Sequence, residues 1–199
     1  MIAIVDYGAG NIFSVKNALD YLGLDCKLTS DNDEIKAADA VILPGVGAFP
    51  AAMAMLEKSG LIDTIKEEAA KKPLLGICLG MQMLFEKGYE FEECDGLGLI
   101  KGSVRYMDEP DLIIPHMGWN ALDFVGEKSP IFKYINDGDF VYFVHSFYAT
   151  DCDDSVIATS EYGIPVTAAV GKGNIFGCQF HPEKSGDVGL NILKAFCEI

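Results

Sequence analysis

Three short segments carry residue types that could act together on a carbonyl substrate. Gly76-Ile77-Cys78-Leu79-Gly80 has the G-x-nucleophile-x-G form of a nucleophile elbow, with cysteine as the nucleophile. A buried strand that turns abruptly into a helix forces strained angles on its central residue, and flanking glycines allow close backbone approach. Cys78 then points out at a helix N-terminus, where the dipole favours thiolate, and the Leu79 amide can help bind an oxyanion. A core cysteine between two ordinary glycines is the bland alternative. Phe180-His181-Pro182-Glu183 follows an apolar run, which places His181 at a strand end. In an extended segment residues i and i+2 face one way, so Glu183 can orient the His181 ring as the third member of a triad. A surface His-Pro-Glu turn is the alternative. The order Cys, His, Glu differs from the Ser, Asp/Glu, His order of α/β-hydrolases. Pro44-Gly45-Val46-Gly47 also ends an apolar run, and its glycines leave the peptide free to turn N–H groups toward a ligand, as an oxyanion hole requires. Alone it reads better as a plain turn. Gln82, at i+4 from Cys78, shares its helix face and can reach a substrate, or else faces solvent.

Other candidates fall away. Gly8-Ala9-Gly10 has Phe13 where a dinucleotide loop needs its third glycine. Asp108-Glu109-Asp111 and Asp151-Asp153-Asp154 lack calcium-loop order and read as solvated turns. Met81, Met83 and Leu84 read as helix packing. The six cysteines show no C-x-x-C or zinc spacing, so no metal or cofactor is expected and the cysteines read as reduced thiols.

These residues need a scaffold. Apolar runs at 2–5, 26–29, 40–43 and 74–77 alternate with helical patterns at 12–22, 49–58, 61–72 and 79–87, which predicts a mostly parallel sheet covered on both faces. The second half predicts consecutive strands at 100–106, 113–114, 121–125, 140–149, 155–159, 166–170 and 174–180, then a helix over 187–197. The reading is one α/β domain over residues 1–199, its mixed central sheet carrying antiparallel additions. The chain has 199 residues, enough for a sizeable core. It carries 15 basic and 30 acidic side chains, 15 − 30 = −15, which argues against a nucleic-acid partner. No membrane span and no signal peptide stand out, so a cytoplasmic protein is the default expectation.

Together these segments resemble the class I, triad-type glutamine amidotransferases. The match narrows to the glutaminase subunits of imidazole glycerol phosphate synthases of histidine biosynthesis through Asp6-Tyr7-Gly8-Ala9-Gly10-Asn11, Pro44-Gly45-Val46-Gly47, Pro115-His116-Met117-Gly118-Trp119-Asn120, Tyr142-Phe143-Val144-His145-Ser146 and Gln179-Phe180-His181-Pro182-Glu183-Lys184-Ser185. The resemblance implies that Cys78 attacks the side-chain amide of L-glutamine, that His181 moves the proton and that Glu183 holds His181. It implies an oxyanion hole at Val46, Gly47 and Leu79, and glutamine held by Gln82, Ser146 and Phe147. Relatives are expected to carry Tyr at 147, so contact there would run through backbone. A glutamyl thioester would be hydrolysed, and ammonia passed to a (β/α)₈-barrel cyclase subunit. That partner would make imidazole glycerol phosphate and aminoimidazole carboxamide ribotide, and would activate the glutaminase by reorganising residues 44–47. Asn11, Trp119, Tyr142 and Lys184 match interface positions in such heterodimers; Trp119 could equally be a core aromatic. Three readings compete with this one: a glutaminase serving another synthase, a stand-alone hydrolase of γ-glutamyl substrates, and a non-catalytic glutaminase-like regulator.

Overall fold

The computed structural model describes residues 1–199. Its first half runs β1 (Ile2–Val5), α1 (Ile12–Tyr21), β2 (Cys26–Thr29), α2 (Asn32–Ala37), β3 (Ala40–Gly45), α3 (Phe49–Ser59), α4 (Ile62–Ala69), β4 (Leu74–Cys78) and α5 (Leu79–Gln82). The second half adds β5 (Phe85–Gly88), β6 (Cys94–Asp95), β7 (Ile100–Tyr106), β8 (His116–Ala121), β9 (Asp123–Phe124), β10 (Phe140–His145), β11 (Phe147–Thr150), β12 (Val156–Glu161), β13 (Pro165–Lys172), β14 (Ile175–Cys178) and α6 (Gly186–Phe196). The main sheet has the order β2-β1-β3-β4-β14-β13-β12-β9. Pairing is parallel from β2 through β14 and antiparallel beyond it.

Strand alternation sends side chains to two cores. Ala3, Val5, Val41 and Leu43 pack with α2, α3 and α4 on one face. Ile2, Ile4, Ala40 and Ile42 pack with α1 and α6 on the other. A four-stranded sheet, β11-β7-β5-β6, and a two-stranded ribbon, β10-β8, complete the molecule. No helix is long and apolar enough to cross a membrane.

Several expected elements differ. The helix expected over 79–87 is a single turn, Leu79–Gln82, followed by strand β5. The carbonyls of Met83, Leu84 and Phe85 accept from the amides of Leu97, Leu99, Ile100 and Gly98, so they cannot propagate a helix. Residues 140–149 break at Ser146, where the chain leaves the ribbon with β8 and joins the sheet with β7. The 121–125 run splits between the end of β8 and β9, and Ile113-Ile114 lies outside any strand. Helix α2, capped by the Asp31 carboxylate on the amides of Asp33 and Glu34, was not expected.

Candidate active site

The site forms at the C-terminal ends of β3, β4 and β14, three adjacent parallel strands, where α/β sheets place their ligand crevices. Cys78 ends β4 at φ 53°, ψ −113°, a conformation that a side chain adopts only under strain, and so it has the backbone of an elbow. The turn is tight because its glycines are touched by backbone. A Cβ at Gly76 would stand 2.7 Å from the Gly80 carbonyl, and one at Gly80 would collide with the carbonyl of Leu43. With only one helical turn behind it, Cys78 gains little from a helix dipole, so the neighbouring imidazole matters more.

His181 lies three residues past the end of β14, and its backbone amide donates to Tyr142 O at 3.0 Å. Its Nδ1 bonds Glu183 Oε1 at 2.8 Å. The pairing forms through the 3₁₀ turn Pro182–Lys184 rather than along an extended strand. Both side chains are almost wholly buried. Burial works against the charged ring, but interaction with the Cys78 sulfur and the Glu183 carboxylate outweighs it and lifts His181 to about 9. Nδ1 is held by Glu183, which leaves Nε2 for the thiol.

Cys78 and His181 share one cavity of about 320 Å³. Val46, Gly47, Leu79, Gln82, Ser146, Phe147 and Lys184 line it too. Glu183 sits behind His181, and Asn11, expected at an interface, reaches it from the start of α1, Nδ2 donating to Glu183 Oε1 at 3.3 Å. Trp119 and Tyr142 lie apart, register partners on the β8–β10 ribbon with rings 6.0 Å apart. Trp119 is 53% exposed, which removes the core-aromatic alternative. Gln82 is buried rather than solvent-facing; its Nε2 donates to Phe147 O and to Gln179 Oε1, each at 3.0 Å. The Phe147 contact with Gln82 thus runs through backbone.

Three further residues belong to this site and were not singled out from the sequence. The Tyr7 hydroxyl donates to Pro44 O at 3.0 Å, anchoring the loop that carries Val46 and Gly47. Burial, aided by the nearby Cys78, raises the Tyr7 pKa, so it stays a neutral donor. Gln179 Nε2 approaches the Cys78 sulfur at 3.8 Å. Glu90 is the only carboxylate lining the cavity, with one oxygen accepting from Phe49 N at 2.7 Å. These contacts cross long stretches of chain, and no local pattern marks them.

The family model for glutamine amidotransferase class-I matches residues 3–198. The chain is 54% identical over 198 residues to the imidazole glycerol phosphate synthase subunit HisH of Bacillus thuringiensis (strain Al Hakam), covering 98% of this chain and 93% of that protein. The HisH subunit of Bacillus mycoides (strain KBAB4) matches at the same identity and coverage. Among solved structures, PurLQS from Thermotoga maritima superposes with a TM-score of 0.78 at 22% identity, over 99% of this chain and 97% of that one. A putative GMP synthase subunit from Thermoplasma acidophilum gives 0.73, also at 22%, over 99% and 92%. These structural likenesses speak for the fold, while the family model and the HisH relatives speak for descent, and on their strength this chain belongs to the class I glutamine amidotransferases.

Proposed function

We propose that this chain is the glutaminase subunit of an imidazole glycerol phosphate synthase, hydrolysing L-glutamine and delivering ammonia to a (β/α)₈-barrel cyclase in histidine biosynthesis. The observation that carries the reading is Cys78 on its strained turn, sharing a cavity with a His181 that Glu183 holds at 2.8 Å, in a chain 54% identical to HisH. The Cys78 sulfur attacks the δ-carbon of glutamine. The carbonyl oxygen becomes an oxyanion, met by the Leu79 amide and the Val46–Gly47 backbone. His181, raised to about 9 beside the Cys78 sulfur, already holds the proton of the pair and delivers it to the leaving nitrogen, so that C–N cleavage releases ammonia and leaves a glutamyl thioester and a neutral imidazole. Water activated by the same imidazole then cleaves the thioester, giving glutamate and restoring the thiol.

Glutamine is zwitterionic, and the lining suits it. Glu90 faces the substrate ammonium, and the Oε1 of Gln82 remains free, its amide protons being committed to Phe147 and Gln179. The Trp119–Tyr142 ribbon, with Lys184 at the cavity and Asn11 on the Glu183 side, is the docking face for the cyclase. Ammonia that reached solvent would be protonated near neutral pH and lose its nucleophilic lone pair, so docking over the mouth serves the chemistry. Cys78→Ala separates the half-reactions: with the cyclase bound, glutamine-dependent synthesis is abolished while synthesis from added ammonium salt persists. Retained glutamine turnover in that variant would remove Cys78 as nucleophile.

A further inference from the structure

The cavity wall is backed by polar groups with no place in the chemistry above. His116 and His145 are opposite one another in the β8–β10 ribbon, both buried, with His116 Nδ1 at 2.9 Å from His145 Nε2. His116 Nε2 lies 2.9 Å from Asn120 Oδ1, and Asn120 Nδ2 donates to the Glu161 carbonyl at 3.0 Å. At the other end His145 Nδ1 lies 2.9 Å from the Phe147 carbonyl, the atom that also accepts from Gln82. The result is one line of groups, Glu161 O, Asn120, His116, His145 and Phe147 O, with four hydrogen-bonding gaps and a carbonyl acceptor at each end.

Each gap needs one proton. In the neutral state Asn120 contributes one and each imidazole one, which fills three gaps of the four. Rotating the Asn120 amide gives no relief, because its oxygen then meets the Glu161 carbonyl. Some gap must therefore set two acceptors face to face at hydrogen-bond distance, unless the line holds a fourth proton. The surroundings favour that proton on His116. Its ring is sandwiched between Tyr162, with centroids 4.0 Å apart, and Phe143, at 4.7 Å, both nearly parallel to it. Aromatic faces stabilise a cation.

We propose that His116 and His145 form a buried imidazole pair carrying a single shared positive charge, and that this pair positions the Phe147 carbonyl in the wall of the glutamine cavity. The consequence for glutamine rests on the function proposed above; the proton count does not. Burial opposes the charge, lowering both rings and taking His145 to about 4, which makes His145 the neutral member and His116 the donor between them. Asn120 on β8 supports the charge. His181 disfavours it from across the cavity, Tyr162 contributes only its ring face, and from Glu161 only the main-chain carbonyl faces the line. Both histidines are positioning residues, because neither touches the reacting atoms. The pair also makes a physical link between the exposed ribbon and the backbone beside Gln82.

The test is a count of protons. The chain has three histidines, so nitrogen-15 spectra of the full-length protein at neutral pH, recorded beside His181→Gln to remove the third ring, resolve the pair. Three protonated nitrogens among its four are expected, one bearing a strongly downfield, exchange-protected proton. Two protonated nitrogens, one per ring, would overturn the proposal whatever the enzyme does. The second measurement uses the glutaminase–cyclase complex. His116→Asn offers His145 Nε2 an amide donor without a charge. Wild-type KM for glutamine should climb about three- to tenfold more than that of His116→Asn as alkaline pH removes the fourth proton, the worth of one hydrogen bond, with kcat moving in parallel in the two proteins. Identical alkaline profiles of KM would also overturn it.

Discussion

At the scale of single residues, the Glu183–His181 bond bears on pH-dependent stability and, in the proposed mechanism, on catalysis. His181 stands at about 9 against an ordinary value of 6.5, so the fold favours its charged form. Against burial, the Cys78 sulfur first and the Glu183 carboxylate second raise it, and their joint contribution is present in full below pH 6.5 and is lost as pH rises through about 9. Urea midpoints should therefore favour wild type over Glu183→Gln at about pH 6, and the advantage should shrink at about pH 9.5. An advantage independent of pH would mean that packing, not charge, is what the carboxylate supplies. In glutamine turnover, Glu183→Gln should lose roughly 10²- to 10⁴-fold in kcat, because the imidazole loses both its tautomer and its charge partner. Tyr7→Phe tests the loop anchor. The variant leaves the buried Pro44 carbonyl without a partner and should cost about 1–3 kcal/mol in chemical denaturation.

Among elements, the turn between β4 and α5 tolerates least. Because the Leu43 carbonyl occupies the space where a Gly80 side chain would go, Gly80→Ala must push β3 away from the elbow. A loss of roughly 3 kcal/mol or more is expected in urea unfolding. This region also shows what the sequence made legible. Runs such as Ala40–Leu43 and Leu74–Ile77 announce buried parallel strands because both faces are covered; β3 runs on through Pro44 to Gly45, and β4 ends on Cys78, where the chain turns into α5. Cys78, His181 and Glu183, the proposed nucleophile, base and orienter, were readable because each lies in a compact motif. The segment after Gln82 misled because Met83, Leu84 and Phe85 are apolar at any spacing, and their pairing with residues 97–100 is non-local. Glu90, Gln179 and the His116–His145 pair escaped for the same reason: their partners are set by which strands meet, and periodicity does not reveal that.

On the scale of the whole molecule, the sheet separates duties. One end of its parallel strands holds Cys78 and His181, and the β8–β10 ribbon carries Trp119 and Tyr142. Trp119 is half exposed in the isolated chain, so Trp119→Ala should leave the chain's own thermal midpoint nearly unchanged. With the cyclase the same change should weaken Kd by about 30-fold, the roughly 2 kcal/mol typical of an aromatic anchor, measurable by calorimetry. A large fall in thermal midpoint without loss of affinity would place Trp119 in the fold rather than the interface.

The backbone angle at Cys78 has one more implication. Only glycine is comfortable there, so the thiol is displayed at the expense of resilience. Cys78→Gly should outlast Cys78→Ala in denaturant by about 1 kcal/mol while both are equally inert toward glutamine. If Cys78 is the proposed nucleophile, a lineage released from the need for ammonia would gain sturdiness by discarding it, and a glycine at this place in a related chain would mark a retired enzyme.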